Sequence, residues 1–155
     1  MIKEENYSEA YGELTSLGDF KDSKKLAEKI YEKSQLDTRY QEAVSLEKDE
    51  KYIEALKTFK ELKNFKDSKQ RATKVDEKMA SIYSTALSQI KEGKYIEAYT
   101  ALDELGDYKD SLEKKEEIYE DYEKDQEYEE INRLLSNKYY AEALNRLKNL
   151  KGFNL

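Results

Sequence analysis

One phrase occurs three times in this 155-residue chain and a fourth time in shortened form. The copies are NYSEAYGELTSLGDFKDS (Asn6 to Ser23), KYIEALKTFKELKNFKDS (Lys51 to Ser68), KYIEAYTALDELGDYKDS (Lys94 to Ser111) and YYAEALNRLKNLKGFNL (Tyr139 to Leu155). Aligned on Tyr7, Tyr52, Tyr95 and Tyr140, they are 45, 43 and 45 residues apart, a period of about 44. Each copy carries one small apolar face. Such a face is buried only by stacking on its neighbours, so the repeat restricts the chain to an array.

Within a copy the first block reads as a short helix, because Tyr52, Ala55, Leu56, Phe59 and Leu62 recur at steps of three and four. Tyr95, Ala98, Tyr99, Leu102 and Leu105 repeat that face. A stop and restart follow: Gly18 or Gly106 suits the helix end, and Asp19, Asn64 or Asp107 suits the next N-cap. This placement puts Asp22, Asp67 and Asp110 of the Lys-Asp-Ser triplets three residues into the second helix, where a carboxylate completes a capping box. Its recurrence at each helix start favours that role over a catalytic or phosphorylated triplet. The second helix is long. In the second copy Phe65, Ala72, Val75, Met79, Ile82, Ala86 and Ile90 form its stripe, and helix-ending turns are expected at Asp49, Gly93 and Asn137.

Composition supports this reading. The chain has no Pro and five Gly, so little interrupts its helices. Charged residues make up 41% against 37% apolar, and Leu, Ile, Val and Phe total only 31. The 14 Tyr supply the missing apolar bulk. The expected fold is all-α: one domain over residues 1–155, with four short and three long helices alternating as an antiparallel α-solenoid. Repeats are expected near 6–49, 50–93 and 94–137, with a partial copy over 138–155. Turns are expected near 18, 49, 63, 93, 106 and 137.

The stretch SIYSTALSQIKEGKYIEAYTALDEL (Ser81 to Leu105) resembles a tetratricopeptide (TPR) repeat in its Ile82, Ala86 and Ile90 spacing, Gly93, Tyr95, the small Ala98, and then Leu102 and Leu105. The period is about ten residues longer than the family's usual one, and the terminal Pro is missing. The GDYKDS ending is similar to a TPR-like variant of Gram-positive bacterial proteins. The resemblance covers essentially the whole chain and implies a solenoid of about 3.5 repeats. It also implies a groove lined by the first helix of each repeat, here the long one.

If what repeats is structural, function belongs to what varies. Tyr31, Arg39, Tyr83, Tyr119 and Tyr122 are the groove candidates, since Tyr and Arg commonly anchor protein contacts. The competing reading is that these tyrosines fill gaps between helices. The stretch from Glu113 to Glu130 holds ten carboxylates against three Lys, matching the net charge of −7 for the whole chain. Glu120, Asp121, Glu127 and Glu130 on it are candidates for holding a basic partner; a solvated helix face is the alternative.

No His or Cys is present, and no phosphate-binding Gly-rich loop, so no catalytic residue and no cofactor are expected. The acidic run lacks the Asp-x-Asp-x-Asp-Gly loop of a calcium site, so no metal ligand is assigned. The absence of a basic stripe argues against nucleic acid, and no apolar run is long enough to enter a membrane. The expected function is a non-enzymatic module binding a peptide or protein segment. A spacer within a larger protein and an acidic inhibitor of a basic-surfaced protein remain the alternatives. The cytoplasm is the expected location, or an extracytoplasmic part of a longer anchored protein.

Overall fold

A computed structural model describes residues 7–152. The expected repeat start at Asn6 and the closing residues 153–155 lie outside the described residues, as do the side chains of Ser8, Lys151 and Gly152. Among the described residues the chain is all-helical, with no strand. The elements are α1 (Tyr7–Ser16), α2 (Ser23–Lys48), α3 (Tyr52–Leu62), α4 (Ser68–Lys91), α5 (Tyr95–Leu105), α6 (Ser111–Glu117), α7 (Tyr119–Ser136) and α8 (Tyr140–Gly152). The expected turns all fall within two residues of a helix end.

The third long helix is broken at one residue. Ile118 ends α6 and begins α7, at φ −99° and ψ 3°. Neither Pro nor Gly is nearby. Ile118 is buried against Ala86, Ala98 and Leu102, while Glu113, Glu116, Glu117, Glu120 and Asp121 repel one another at i, i+3 and i, i+4 spacing on the same turns. Backbone bonds still pass through this residue, the Ile118 amide donating to Lys114 at 3.3 Å and the Tyr122 amide to Ile118 at 2.9 Å.

Two compact units divide the chain at Glu77 and Lys78, α4 passing from one into the other. In the first, α2 packs against α1 and α3, and its core contains Ala27, Ile30, Tyr40, Ala43, Ala55, Leu56, Phe59, Leu62, Ala72 and Val75. In the second, Ala86, Ala98, Leu102 and Ile118 form one cluster, joined by Tyr83, Ile90, Tyr95 and Tyr99. Ile131, Leu134 and Ala143 form another, with Leu147 and Leu150 against it. Ala43, Ala55, Ala86 and Ala98 are completely buried; a side chain of one carbon lets helices approach closely.

The Lys-Asp-Ser triplet has a different role from the one its sequence suggests. The helices start at Ser23, Ser68 and Ser111, so Asp22 and Asp110 occupy the N-cap itself, and neither makes a side-chain cap bond. The chain reaches them through two tight turns. In the first, the amides of Phe20, Phe65 and Tyr108 donate to the carbonyls of Leu17, Leu62 and Leu105; in the second, those of Ser23, Ser68 and Ser111 donate to Phe20, Phe65 and Tyr108. Lys21, Lys66 and Lys109 take positive φ of 49°, 49° and 52° to close the second turn. The capping-box placement therefore fails, because these turns use the residues before Asp and delay the helix by about one turn.

The aspartates instead fasten neighbouring long helices. Tyr40 of α2 donates its hydroxyl to the Asp67 carboxylate, and Tyr83 of α4 donates to Asp110, both 27 residues ahead. Ring contacts complete each joint. Tyr40 meets Phe65 edge-on at 6.2 Å and Tyr83 meets Tyr108 at 6.5 Å, while Lys66 and Lys109 each sit 4.8 Å above the tyrosine ring. In the first joint Arg71 adds bonds to Tyr40, Asp67 and Glu47, and Lys66 pairs with Asp37.

The first joint titrates at both extremes of pH. Burial, then the bond to Asp67, raises the Tyr40 hydroxyl above its ordinary 10.0. The Tyr40 hydroxyl in turn holds the Asp67 carboxyl below its ordinary 3.8. The Asp67 contribution to stability is complete above the unfolded value and is lost as pH falls through the lower folded one. The Tyr40 contribution is complete below the unfolded value and is lost as pH rises through the raised one. Tyr40→Phe is expected to make both limbs of the stability profile shallower, checked by urea unfolding between about pH 2 and pH 11.

Candidate functional site

Helix α7 builds the most distinctive surface. At about 100° per residue, Tyr119, Glu120, Glu123, Lys124, Gln126, Glu127 and Glu130 share one side of it. With Asn149 and Leu150 of α8 they line a cleft of about 860 Å³. Four of its lining side chains are carboxylates and one is an ammonium. Arg146 of α8 reaches Glu127 at 2.9 Å, and Arg133 holds Glu130 at 2.6 Å, lowering that carboxyl's pKa. Lys124 is drawn to Asp121 at 3.3 Å. Among the described residues Glu120 and Glu123 have no cation; the Tyr119 hydroxyl donates to Glu123 at 2.8 Å and is itself raised by that bond.

An aromatic cluster borders the cleft. Tyr122 stacks on Tyr99 of α5 with centroids 4.0 Å apart and planes 14° from parallel. Tyr119 lies 6.0 Å from Tyr99 and 6.2 Å from Tyr122. The Lys115 ammonium stands 5.4 Å from the Tyr99 ring, so a cation already sits on this aromatic surface. The arrangement can accept Lys or Arg side chains through carboxylates and ring faces together.

The expected candidates do not converge on one place. Tyr119, Glu120, Glu127 and Glu130 line the cleft, with Tyr122 behind Tyr119, whereas Asp121 points its carboxylate to Lys124. Tyr83 is half-buried and engaged with Asp110. Arg39 is exposed and paired with Glu61 of α3. Tyr31 is exposed beside Tyr11 at 5.7 Å, on a smaller hollow of about 270 Å³ between α1 and α2. Glu123, Lys124, Gln126, Asn149 and Leu150 also line the cleft and are not among the expected candidates. Glu123 and Lys124 were signalled by their i+3 and i+4 spacing from Glu120; those of α8 had no signal short of the packed structure.

Among the described residues no group of three or more metal-ligating side chains comes together, and no helix is long and apolar enough to cross a membrane. No family model matches this chain, nor does any curated protein or solved structure.

Proposed function

We propose that this protein is a non-enzymatic binding scaffold of the tetratricopeptide-like helical-repeat kind, holding a lysine- or arginine-bearing peptide or protein segment in the cleft between α7 and α8. The observation that carries this reading is the pairing of Glu120 and Glu123, carboxylates without a cation, with the exposed Tyr119 at the edge of a three-tyrosine cluster. Aromatic surface supplies contact area at low entropic cost, and carboxylates select the charge. Stacking of about 3.5 copies as a solenoid belongs to the same reading. Its support is the recurrence of one tyrosine–aspartate joint in each unit.

The test uses a fluorescein-labelled peptide of alternating Lys and Gly, with an alternating Glu and Gly peptide as control. Anisotropy is expected to show binding of the basic peptide alone, weakening as salt is raised. Glu120→Gln with Glu123→Gln removes charge without breaking an ion pair, and is expected to lower affinity at least about tenfold and flatten the salt dependence. Tyr119→Ala is expected to weaken binding at every salt concentration. Equal affinities and equal salt slopes for wild type and the double-Gln variant would eliminate the basic-segment reading and leave a spacer.

A further inference from the structure

The two internal joints define a pattern that the chain also contains as two separated halves. Tyr40 and Tyr83 each stand 12 residues before the repeat tyrosine, Tyr52 or Tyr95; the same register before Tyr140 is Tyr128. Asp67 and Asp110 follow their tyrosines by 27 residues. The residue 27 after Tyr128 is Leu155, whose side chain has no hydrogen-bonding atom. Tyr128 itself is exposed, at 57%.

The complementary half lies at residues 20–26. Phe20 is 60% exposed, where Phe65 and Tyr108 are half-buried against Tyr40 and Tyr83. Lys21 already sits 5.2 Å over the Phe20 ring, as Lys109 sits over Tyr108, but among the described residues it meets no second ring. Among the described residues the Asp22 carboxylate has no partner, and it makes no cap bond.

Three further positions match across the halves. Asp37, three residues before Tyr40, pairs with Lys66; three residues before Tyr128 stands Asp125, with one oxygen on the Tyr95 amide and the other available for Lys21. Glu47, seven residues after Tyr40, pairs with Arg71. The corresponding residues of the two halves are Leu135 and Leu26, exposed at 45% and 46%. An ion pair in the first internal joint is thus matched by two leucines across these halves. On α7, Asp125, Tyr128 and Leu135 share a face turned about 100° or more from the middle of the cleft described above.

We infer that a second copy of this chain docks head to tail, residues 20–26 of one copy seated on the Asp125, Tyr128 and Leu135 face of the other. In this joint the Tyr128 hydroxyl donates to the Asp22 carboxylate, and the Lys21 ammonium covers the Tyr128 ring and pairs with Asp125. Leu26 meets Leu135 and buries two otherwise wet side chains. The two surfaces differ, so the contact is heterologous, and a docked pair retains one unused surface of each kind, one on each copy.

Sedimentation and light scattering of the full chain across concentration provide the test. The mean mass of the wild type is expected to climb above that of one chain and continue past two. Leu26→Asp and Leu135→Asp replace exposed side chains, so folding by circular dichroism is expected to be unchanged and each variant to remain a single chain. Mixed in equal amounts, they are expected to form a pair and nothing larger, because one intact surface remains on each. Lys21→Glu is expected to abolish association too, independently of the leucines. A wild type that stays a single chain up to about millimolar concentration, the weakest range of measurable association, overturns the proposal. So does association that survives both aspartate variants, or a mixture of them that fails to pair.

Discussion

Phe59→Ala is expected to lower the unfolding free energy by about 3–5 kcal/mol, the largest loss available from one substitution in the first unit. Phe59 is completely enclosed. Its ring meets Tyr40 edge-on at 6.1 Å, and the Arg71 guanidinium lies 6.0 Å from it. Truncation opens a cavity under that joint and releases Tyr40 from one of the two rings that orient its hydroxyl toward Asp67. Urea unfolding followed by circular dichroism measures the loss. Hydrogen exchange is expected to locate it, with amides of α2 and α3 exchanging much faster. A loss below about 1 kcal/mol, smaller than an ordinary buried truncation, would show that the joint does not depend on Phe59.

The opposite sign is expected from Glu50→Gly, Lys63→Gly and Lys138→Gly combined, a gain of about 2 kcal/mol from relieved backbone strain. Glu50 and Lys138 hold φ of 61° and 65° where Gly93, their counterpart, holds 71°. All three close the same helix-ending motif: Lys51, Lys94 and Tyr139 donate their amides to Leu46, Gln89 and Leu134, five residues back, while Glu50, Gly93 and Lys138 donate three residues back. Lys63, at φ 54° and ψ −110°, stands where Gly106 adopts 51° and −121°. Such positions favour glycine because a Cβ meets the backbone there. A thermal melt of the triple variant with no rise in midpoint would mean that these lysine and glutamate side chains contribute more than their backbone costs.

These positions also show what could be read from the sequence. Helix existence apart from the interruption at Ile118, the C-terminal helix ends to within two residues and most core residues follow from apolar spacing, because burial acts on side chains that recur every three or four positions. The expected helix-ending residues, Asp49 and Asn137, stand one short of Glu50 and Lys138, since neither Glu nor Lys carries a conformational signal for positive φ. The aspartate of the triplet reads as a local cap because capping is a short-range pattern, while its observed partners, Tyr40 and Tyr83, lie 27 residues away. A hydrogen bond between helices has no local signature. The cleft was half legible: α7 carries its acidic side at helical spacing, and α8 closes it through tertiary packing alone.

Ser23, Ser68 and Ser111 end the repeated phrase, and all three are buried, the last two without any exposed surface. Ser111 donates its hydroxyl to the Tyr108 carbonyl at 2.7 Å. A modifying enzyme meeting the folded chain therefore finds the lysine and aspartate of the triplet but not its hydroxyl. A phosphate on Ser68 or Ser111 would add nearly two negative charges and three acceptor oxygens to a space with no room for them. Such a mark could be written only on an opened chain and would prevent it from closing again. Detected in a cell, it would record that the packing around these serines had opened.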